Sequence, residues 1–233
     1  MITRARVLDA LGSVHDPELD EPITELGFVT SCEVTLDGAV DILLRLPTPQ
    51  CAPNFAYLMA ADARNAVRRL PGVRHLTVRL EDHYTGDEIN AAVSRGKGFT
   101  AAFPGETDDD DLEALRQLFH RKALLARQAT LCEELVARGA TAEQVCAGRV
   151  AELPDAPEAR RCVELRRHLG IPSHDDSPAF VLPSGEPLAA CNLERWLRTA
   201  RLVRTGLEVN GGICRALLQA RHGPAANSGA VAT

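Results

Sequence analysis

Cys51 is the residue whose type and position suggest chemistry most directly. It lies in the segment Leu46–Pro53, LPTPQCAP, between an apolar strand-like run and a helix-like run. This pattern places a thiol at the start of a helix, where unpaired N–H groups and the helix dipole favour the thiolate. The thiolate binds metals or attacks electrophiles. The alternative is a cysteine that only packs, as a small hydrophobic side chain.

Asp16, Glu18 and His83 are the other candidate metal ligands. The two acids belong to an acidic loop interrupted by prolines, where they either ligate a metal or only form a turn and a cap. His83 follows a predicted strand, and it lies either near Cys51 at the same end of the sheet or in solvent at the strand end. We interpret the acidic run at residues 108–111 as a helix start, because acids satisfy free N–H groups there.

The seven cysteines follow no pairing pattern, and no two have the C-x-x-C spacing. Such thiols stay free in a reducing compartment, and the spacing excludes a zinc ribbon or a thioredoxin-type motif. Cys32, Cys132 and Cys214 fall on apolar faces of predicted elements. We therefore predict that these three cysteines belong to the core.

Composition and charge exclude several classes of function. The chain has 233 residues, 45% of them hydrophobic, which suffices for one large or two small domains. The net charge is −6 without a basic cluster, so we expect no nucleic-acid binding. No stretch approaches the roughly 18 apolar residues of a membrane span. The N-terminal residues do not resemble a secretory leader, so we expect a cytoplasmic protein that does not contact a membrane.

Local patterns in the N-terminal part predict a small α+β domain with the element order α-β-β-α-β. Two alternating strands meet at Asp37-Gly38, a strong signal for a two-residue hairpin. Pro53 begins a helix that Pro71-Gly72 ends, and a third strand then joins the hairpin. Helices cover one face of this sheet, and the other face is exposed or used for association.

The second half of the sequence predicts helices and contains no recognisable chemical motif. Thr141 and Gln144 predict a capping box, and Asn192 is the predicted cap of a last long helix. The predicted fold class is α+β, with a mostly α-helical module after the small domain. The predicted parts are a domain at residues 1–103, a helical extension at 104–222 and a disordered tail at 223–233.

Four short motifs occur in order along the first domain: Asp16-Pro17-Glu18, Leu26-Gly27-Phe28-Val29, Thr48-Pro49-Gln50-Cys51-Ala52-Pro53 and Leu70-Pro71-Gly72-Val73. Over residues 3–83 the sequence resembles the SufT/PaaD-like family of iron–sulfur cluster assembly factors, also called metal–sulfur cluster biosynthetic proteins. It departs from the family at one position. The family commonly has proline directly after the cysteine, whereas Ala52 comes before Pro53 here and displaces the thiol relative to the helix.

The resemblance implies a small α+β domain that self-associates and takes part in metalloprotein maturation. It implies that Cys51 is the functional residue, as a ligand or a reactive thiol, and that Asp16 and Glu18 are motif residues. The extension at residues 104–233 is similar to that of longer members associated with multicomponent di-iron monooxygenases. This similarity implies that the client is a metalloenzyme of that kind, an oxygenase of hydrocarbons or phenols.

The number of candidate ligands indicates a transient site. One cysteine, two acids and one histidine do not form a closed cage, because structural zinc takes four ligands and iron–sulfur clusters usually take four thiolates. We therefore predict a transiently held iron ion or iron–sulfur cluster. In a homodimer each subunit contributes Cys51, and a client or a small thiol supplies the remaining ligands.

Three functions compete at this point. The first is a non-catalytic factor for iron–sulfur cluster assembly or metalloenzyme maturation, in which Cys51 acts. The second is an adaptor that docks a client through its helical half while Cys51 only packs. The third is an enzyme with a cysteine nucleophile, which requires a base near the thiol. We disfavour the enzyme because only His75 and His83 are near in sequence, and alternation turns His75 outward.

Overall fold

The structure, a computed structural model, describes residues 1–223 and divides the chain into two compact units. Among the described residues, the first unit contains Met1–Glu113 together with residues 210–223, and the second contains Ala114–Val209. This division differs from the predicted boundary at residue 103, because the end of the last helix returns to the N-terminal part. Apart from Gly223, the predicted disordered tail lies outside the described residues.

The first unit has the predicted α-β-β-α-β order, and the α+β class is confirmed. Its leading elements are α1 (Arg4–Leu11), β1 (Val29–Val34), β2 (Ala39–Arg45), α2 (Pro53–Arg68) and β3 (His75–Glu81). The structure adds two helices that the predicted order lacks, α3 (Gly86–Ser94) and α4 (Phe99–Ala102). The apolar spacing of Ile89, Ala92 and Val93, all buried, is the helical signal for α3.

Within the described residues the strands form a sheet of order β1-β2-β3, with β1 antiparallel and β3 parallel to β2. One face is apolar, and its buried members include Cys32, Val40, Ile42, Leu44, Val78 and Leu80. The opposite face is polar, because Arg45 pairs with Glu81 and Arg79 pairs with Asp41. The predicted difference between the two faces is therefore confirmed, and the uncovered face is charged.

The hairpin connection is longer than predicted. Four residues, Thr35–Gly38, separate the two strands, and the Thr35 N–H donates to the Ala39 carbonyl at 2.9 Å. Gly38 has a φ of +89°, and a Cβ there would lie 2.4 Å from the Gly72 carbonyl oxygen. Glycine is therefore needed for its left-handed backbone and for close approach of the turn after α2.

The outer edge of β3 is occupied by a side chain. The Leu80 N–H donates to Asn90 Oδ1 at 2.7 Å, and Asn90 Nδ2 donates to the Leu80 carbonyl at 2.9 Å. Asn90 lies on α3 and replaces a neighbouring strand at this residue. The two bonds tie α3 to the sheet and satisfy backbone groups that an edge strand would otherwise expose.

Asp110 belongs to the acidic run but does not begin the helix that follows it. Its carbonyl accepts from the Phe99 N–H at 2.8 Å, and its carboxylate accepts from the Thr100 N–H at 3.0 Å. The acid thus satisfies N–H groups at the start of α4, upstream, whereas we predicted the start of the downstream helix. These bonds also attach the segment beyond residue 103 to the first unit.

The second unit is helical, as predicted. It contains most of α5 (Glu113–Ala137), then α6 (Ala142–Ala147), α7 (Pro157–His168) and the first part of α8 (Leu193–His222), with 3₁₀ turns at Val150–Glu152 and Ala190–Asn192. The predicted capping box of Thr141 and Gln144 is confirmed. The core of the second unit includes Leu124, Leu131, Cys132, Leu165, Phe180 and Trp196. Among the described residues no helix is long and apolar enough to cross a membrane.

A buried arginine lies in this second core. Arg166 is 1% exposed, and it donates to the Pro178 carbonyl at 2.8 Å, to the Ala179 carbonyl and to Gln128 Oε1 at 3.3 Å. Gln128 also bonds both backbone groups of Val181. Carbonyl oxygens stabilise the buried guanidinium. The network therefore fixes the segment at residues 178–181 against α5 and α7.

Candidate functional site

Cys51 lies two residues before α2, in a turn that its own backbone closes. Its N–H donates to the Thr48 carbonyl at 3.3 Å, and its Sγ lies 3.6 Å from Thr48 Oγ1. Ala52 is the N-cap residue, and Pro53 is the first residue of the helix. The thiol is half-buried, outside the apolar face of α2, at the helix end where backbone N–H groups are unpaired.

His83 contacts the backbone of Cys51. Its Nε2 lies 2.8 Å from the Cys51 carbonyl oxygen, and its Nδ1 accepts from the Thr85 N–H at 3.2 Å. These partners assign the proton to Nε2, since a carbonyl oxygen only accepts. Both ring nitrogens are therefore engaged, and His83 holds the Cys51 loop in position. The Tyr84 N–H adds a 2.9 Å bond to the Pro49 carbonyl.

Asp16 forms the turn of the acidic loop. Its Oδ1 accepts from the Glu18 N–H at 2.8 Å and from the Leu19 N–H at 2.9 Å. Burial raises the pKa of Asp16 to about 6, although the two N–H bonds act in the opposite direction. The nearby charges of Glu18 and Glu21 raise the pKa further. The structural interpretation of Asp16 as a turn residue is thus observed, and a ligand role stays a prediction.

The end of α8 lies against the same loop, within the first unit. Asn210 Nδ2 donates to Glu18 Oε1 at 3.3 Å, and Arg215 forms an ion pair with Glu21. Glu18 is half-buried, and its carboxylate already accepts a hydrogen bond from this helix. The sequence gives no signal for this contact between the last helix and the acidic loop, since 192 residues separate Asn210 from Glu18.

Cys214 is the residue of this site that sequence reasoning missed. We predicted a core residue, whereas the structure places it half-buried on the part of α8 that belongs to the first unit. Burial raises the pKa of Cys214 to about 11, and the negative charges of Asp16, Cys51 and Glu18 raise it further. Cys214 therefore shares one electrostatic environment with the predicted site residues. By contrast, Cys32 and Cys132 are buried as predicted.

Within residues 1–223 no group of three or more His, Cys, Asp or Glu side chains is arranged to hold a metal ion. The site brings the Cys51 backbone to His83, and it places the Cys214 thiol in the field of Asp16 and Glu18. It does not bring four ligands together.

Comparison with known proteins identifies the family of the first unit. Residues 4–79 match the iron–sulfur cluster assembly protein family. Over 90 residues the chain is 36% identical to an uncharacterized protein of Methanocaldococcus jannaschii, covering 39% of this chain and 93% of that protein. The chain belongs to the iron–sulfur cluster assembly protein family. The matched range includes Cys51, Asp16 and Glu18, whereas His83 and Cys214 lie beyond it.

Two further relatives have names that state a function. An iron–sulfur cluster carrier protein of Synechocystis is 31% identical over 110 residues, which cover 42% of this chain and 30% of the carrier. An Fe-S protein maturation auxiliary factor of Porphyromonas gingivalis is 26% identical over 99 residues, covering 42% of this chain and 92% of the factor. The chain thus spans about a third of the carrier protein and almost all of the auxiliary factor.

Proposed function

We propose that this protein assembles or carries iron–sulfur cargo for client metalloproteins, with Cys51 as the thiol that binds the cargo. Membership of the assembly family supports this function, as do the names of the carrier and maturation relatives. Free thiols of this kind persist in a reducing compartment, so we place the function in the cytoplasm.

The geometry of the Cys51 loop is the observation on which the proposal rests. The loop is held by the bond from the Cys51 N–H to Thr48, by the His83 bond to the Cys51 carbonyl and by the Tyr84 bond to Pro49. The backbone is therefore fixed, whereas the thiol itself is only half-buried. Such an arrangement presents a thiol to an incoming metal without a change in the fold.

We propose that the cargo is held transiently and shared. Iron–sulfur clusters usually take four thiolates, and Cys51 supplies one. A homodimer with Cys51 from each copy, completed by a small thiol or by the client, accounts for the missing ligands. A site that depends on exchangeable ligands also releases its cargo easily, and a carrier must do so. Asp16 and Glu18 would then shape the electrostatics of the site, and His83 would fix the loop.

We propose a metalloenzyme as the client, and specifically a component of a multicomponent di-iron monooxygenase. The similarity of the extension at residues 104–233 to that of longer family members supports this assignment. A direct check is the transfer of iron from the loaded protein to an apo-oxygenase component, measured as regained oxygenase activity.

Anaerobic reconstitution with iron and sulfide tests the role of Cys51. We expect Cys51→Ala to retain several-fold less iron and acid-labile sulfide after desalting than the wild type. Cys191→Ala is the control, because Cys191 is an exposed thiol of the second unit. Equal retention by the wild type and Cys51→Ala would remove Cys51 from the mechanism.

A non-catalytic adaptor is the second candidate, and exposed apolar side chains of the second unit favour it. Leu202 is 77% exposed and Val209 is 54% exposed on α8. If the protein is an adaptor, the double variant Leu202→Glu with Val209→Glu abolishes client maturation and Cys51→Ala preserves it. If the protein is a carrier, Cys51→Ala abolishes client maturation. The cysteine-nucleophile enzyme gains no support, since the His83 ring bonds to a carbonyl and to Thr85 instead of the thiol.

A further inference from the structure

The loop that carries Cys51 has few backbone donors of its own. Three of the eight residues at 46–53 are prolines, which lack the backbone N–H group. Within the loop, the Cys51 N–H donates to the Thr48 carbonyl at 3.3 Å. Because prolines still present carbonyl oxygens, such a loop is suited to attachment through its carbonyl groups, with donors that come from other elements.

Three alternate carbonyl groups of this loop accept hydrogen bonds from outside it. The carbonyls of Pro49 and Cys51 accept from the segment that follows β3. The third carbonyl, that of Pro47, accepts from Arg221 Nη1 at 3.1 Å. Arg221 lies in the last turn of α8, so the donor for Pro47 comes from a residue 174 positions away in the sequence.

The same guanidinium also reaches the segment after β3. Arg221 Nη2 donates to Asp82 Oδ2 at 2.9 Å, and Asp82 comes directly before His83. A planar guanidinium presents its N–H donors in a fixed fork, so one side chain can bond two groups in a single geometry. Arg221 therefore joins the Cys51 loop to the segment whose imidazole bonds to the Cys51 carbonyl.

Asp82 has a backbone conformation that needs support from its surroundings. Its φ is +53°, in the left-handed region that residues with a side chain seldom adopt. Such a conformation persists where neighbouring contacts hold it. Two residues at the end of α8 contact its carboxylate, Arg221 and also His222, whose Nε2 lies 3.8 Å from Oδ2. The turn that leads the chain from β3 to His83 is therefore held from α8.

The helix that presents Arg221 is itself anchored. Upstream in the same unit, Asn210 donates to Glu18, and Arg215 forms an ion pair with Glu21 in the acidic loop. The guanidinium thus extends from a helix end that further polar contacts keep in place. An anchored donor can hold a loop, whereas a donor on a free chain end cannot.

A basic residue in the last turn of a helix also has a simpler use. Its positive charge complements the negative end of the helix dipole. A lysine serves that purpose as well as an arginine does, but its ammonium group is a point charge without the fork that bonds Pro47 and Asp82 together. The substitution Arg221→Lys therefore separates the two uses.

We propose that Arg221 is a positioning residue for the Cys51 site, with one guanidinium that ties the Cys51 loop to the His83 segment. The proposal rests on the proposed function of Cys51 as the cargo thiol. The side chains of Arg221 and Asp82 are 32% and 43% exposed, so salt weakens the tie. The end of α8 then has a defined part in presenting the thiol, although it lies outside the matched family range.

The rate at which iodoacetamide alkylates Cys51 in the full-length chain tests this role, measured by peptide mass spectrometry at low salt. We expect the rate to rise several-fold in Arg221→Gln, because the loop loses its tie to Asp82, and to stay above the wild type in Arg221→Lys. Arg167→Gln is the matched control, since Arg167 is an exposed arginine in the last turn of α7. The exposed thiol of Cys191 reports the reagent's own rate in every variant.

A double variant tests whether Arg221 acts through Asp82. Asp82→Asn removes the carboxylate charge and keeps a side chain that tolerates a left-handed backbone. Adding Asp82→Asn to Arg221→Gln should change the alkylation rate little, whereas independent effects would multiply. High salt should bring the wild-type rate toward that of Arg221→Gln. Circular dichroism and the unfolding midpoint verify that each variant keeps the fold.

Three results overturn the positioning role. The first is a Cys51 alkylation rate in folded Arg221→Gln that equals the wild-type rate. The second is a wild-type rate in Arg221→Lys, which would leave only the interaction with the helix dipole. The third is a double variant whose rate change equals the product of the two single changes.

Iron retention separates this inference from the proposed function. The full-length variants are reconstituted anaerobically with Fe(II) and sulfide, and iron is measured after exposure to a chelator. We expect Arg221→Gln to lose iron several-fold faster than the wild type, as Cys51→Ala does. If Cys51→Ala loses iron while Arg221→Gln keeps it, the positioning role is overturned and the function of Cys51 stands. If Cys51→Ala keeps its iron, the proposed function is overturned, and the alkylation rates still decide whether Arg221 positions the thiol.

Discussion

The imidazole of His83 donates a 2.8 Å hydrogen bond from Nε2 to the backbone carbonyl of Cys51. The two residues are 32 positions apart, and the bond joins the end of β3 to the loop before α2. Because Nδ1 of the same ring accepts from the Thr85 N–H, the ring is held from both sides. The position of the thiol therefore depends on a hydrogen bond that His83 makes to the Cys51 backbone.

Replacement of His83 by alanine is expected to loosen the Cys51 loop. The lost bond leaves the Cys51 carbonyl without its side-chain partner, at a cost of about 1 kcal/mol. We expect iodoacetamide to alkylate Cys51 several-fold faster in His83→Ala, measured by peptide mass spectrometry. His83→Gln keeps an amide donor and should restore part of the wild-type rate. Equal rates in His83→Ala and the wild type would show that the loop is held without this bond.

Asp16 is expected to make the stability of the protein depend on pH. Burial raises its pKa from 3.8 to about 6 in the folded chain, so the folded state keeps the proton longer than the unfolded state does. The stabilisation from this proton is complete at a pH below the pKa of Asp16 in the unfolded chain. It is lost as the pH rises through the pKa of Asp16 in the folded chain. The free energy of unfolding should therefore fall by up to about 3 kcal/mol between about pH 4 and about pH 7.

The variant Asp16→Asn isolates this contribution. Its amide oxygen still accepts from the Glu18 and Leu19 N–H groups, but the side chain does not titrate in this range. We expect the difference in unfolding free energy between the wild type and Asp16→Asn to change with pH in the stated direction. A difference that is constant across this range would show that Asp16 is not the titrating group.

Asn90 is expected to control local stability at the edge of β3. Asn90→Asp keeps an acceptor for the Leu80 N–H, but it places a carboxylate against the Leu80 carbonyl that Nδ2 now satisfies. We expect a loss of about 1–3 kcal/mol, measured as faster hydrogen exchange at the Leu80 amide. Asn65→Asp is a matched control at an exposed helical position. Equal exchange in Asn90→Asp and the wild type would contradict the role of the side chain.

Local sequence patterns predicted individual helices and strands. They did not predict the contacts between elements that are far apart in the sequence. Alternating strands, Pro53 and the Thr141 capping box are local signals, and each appears where the sequence indicates it. The partner of Leu80 is a side chain, Asn90, and no periodicity identifies such a pair.

The same reason accounts for the missed parts of the site and of the second core. Cys214 lies on the expected helix, but its neighbours come from the other end of the chain, so its environment has no local signature. Arginine is usually exposed, and its type gives no indication that Arg166 is buried among carbonyl groups. The position of Cys51 before a helix was predictable, whereas the contacts of α8 with the acidic loop and with Pro47 were not.

The ion pair between Arg215 and Glu21 is expected to hold the end of α8 over the site. Arg215→Glu places a negative charge beside Glu21, so the helix end should detach and Cys214 should react faster with iodoacetamide. The single pair is partly exposed and worth about 0.2–1 kcal/mol, so a rate change of a few fold is expected.

The swap of Arg215→Glu with Glu21→Arg should return the rate toward that of the wild type. High salt should reduce the difference between the single variant and the wild type, because it screens exposed charges. If the swap reacts as fast as Arg215→Glu alone, the pair does not hold the helix, and the cover depends on the anchors at Asn210 and Arg221.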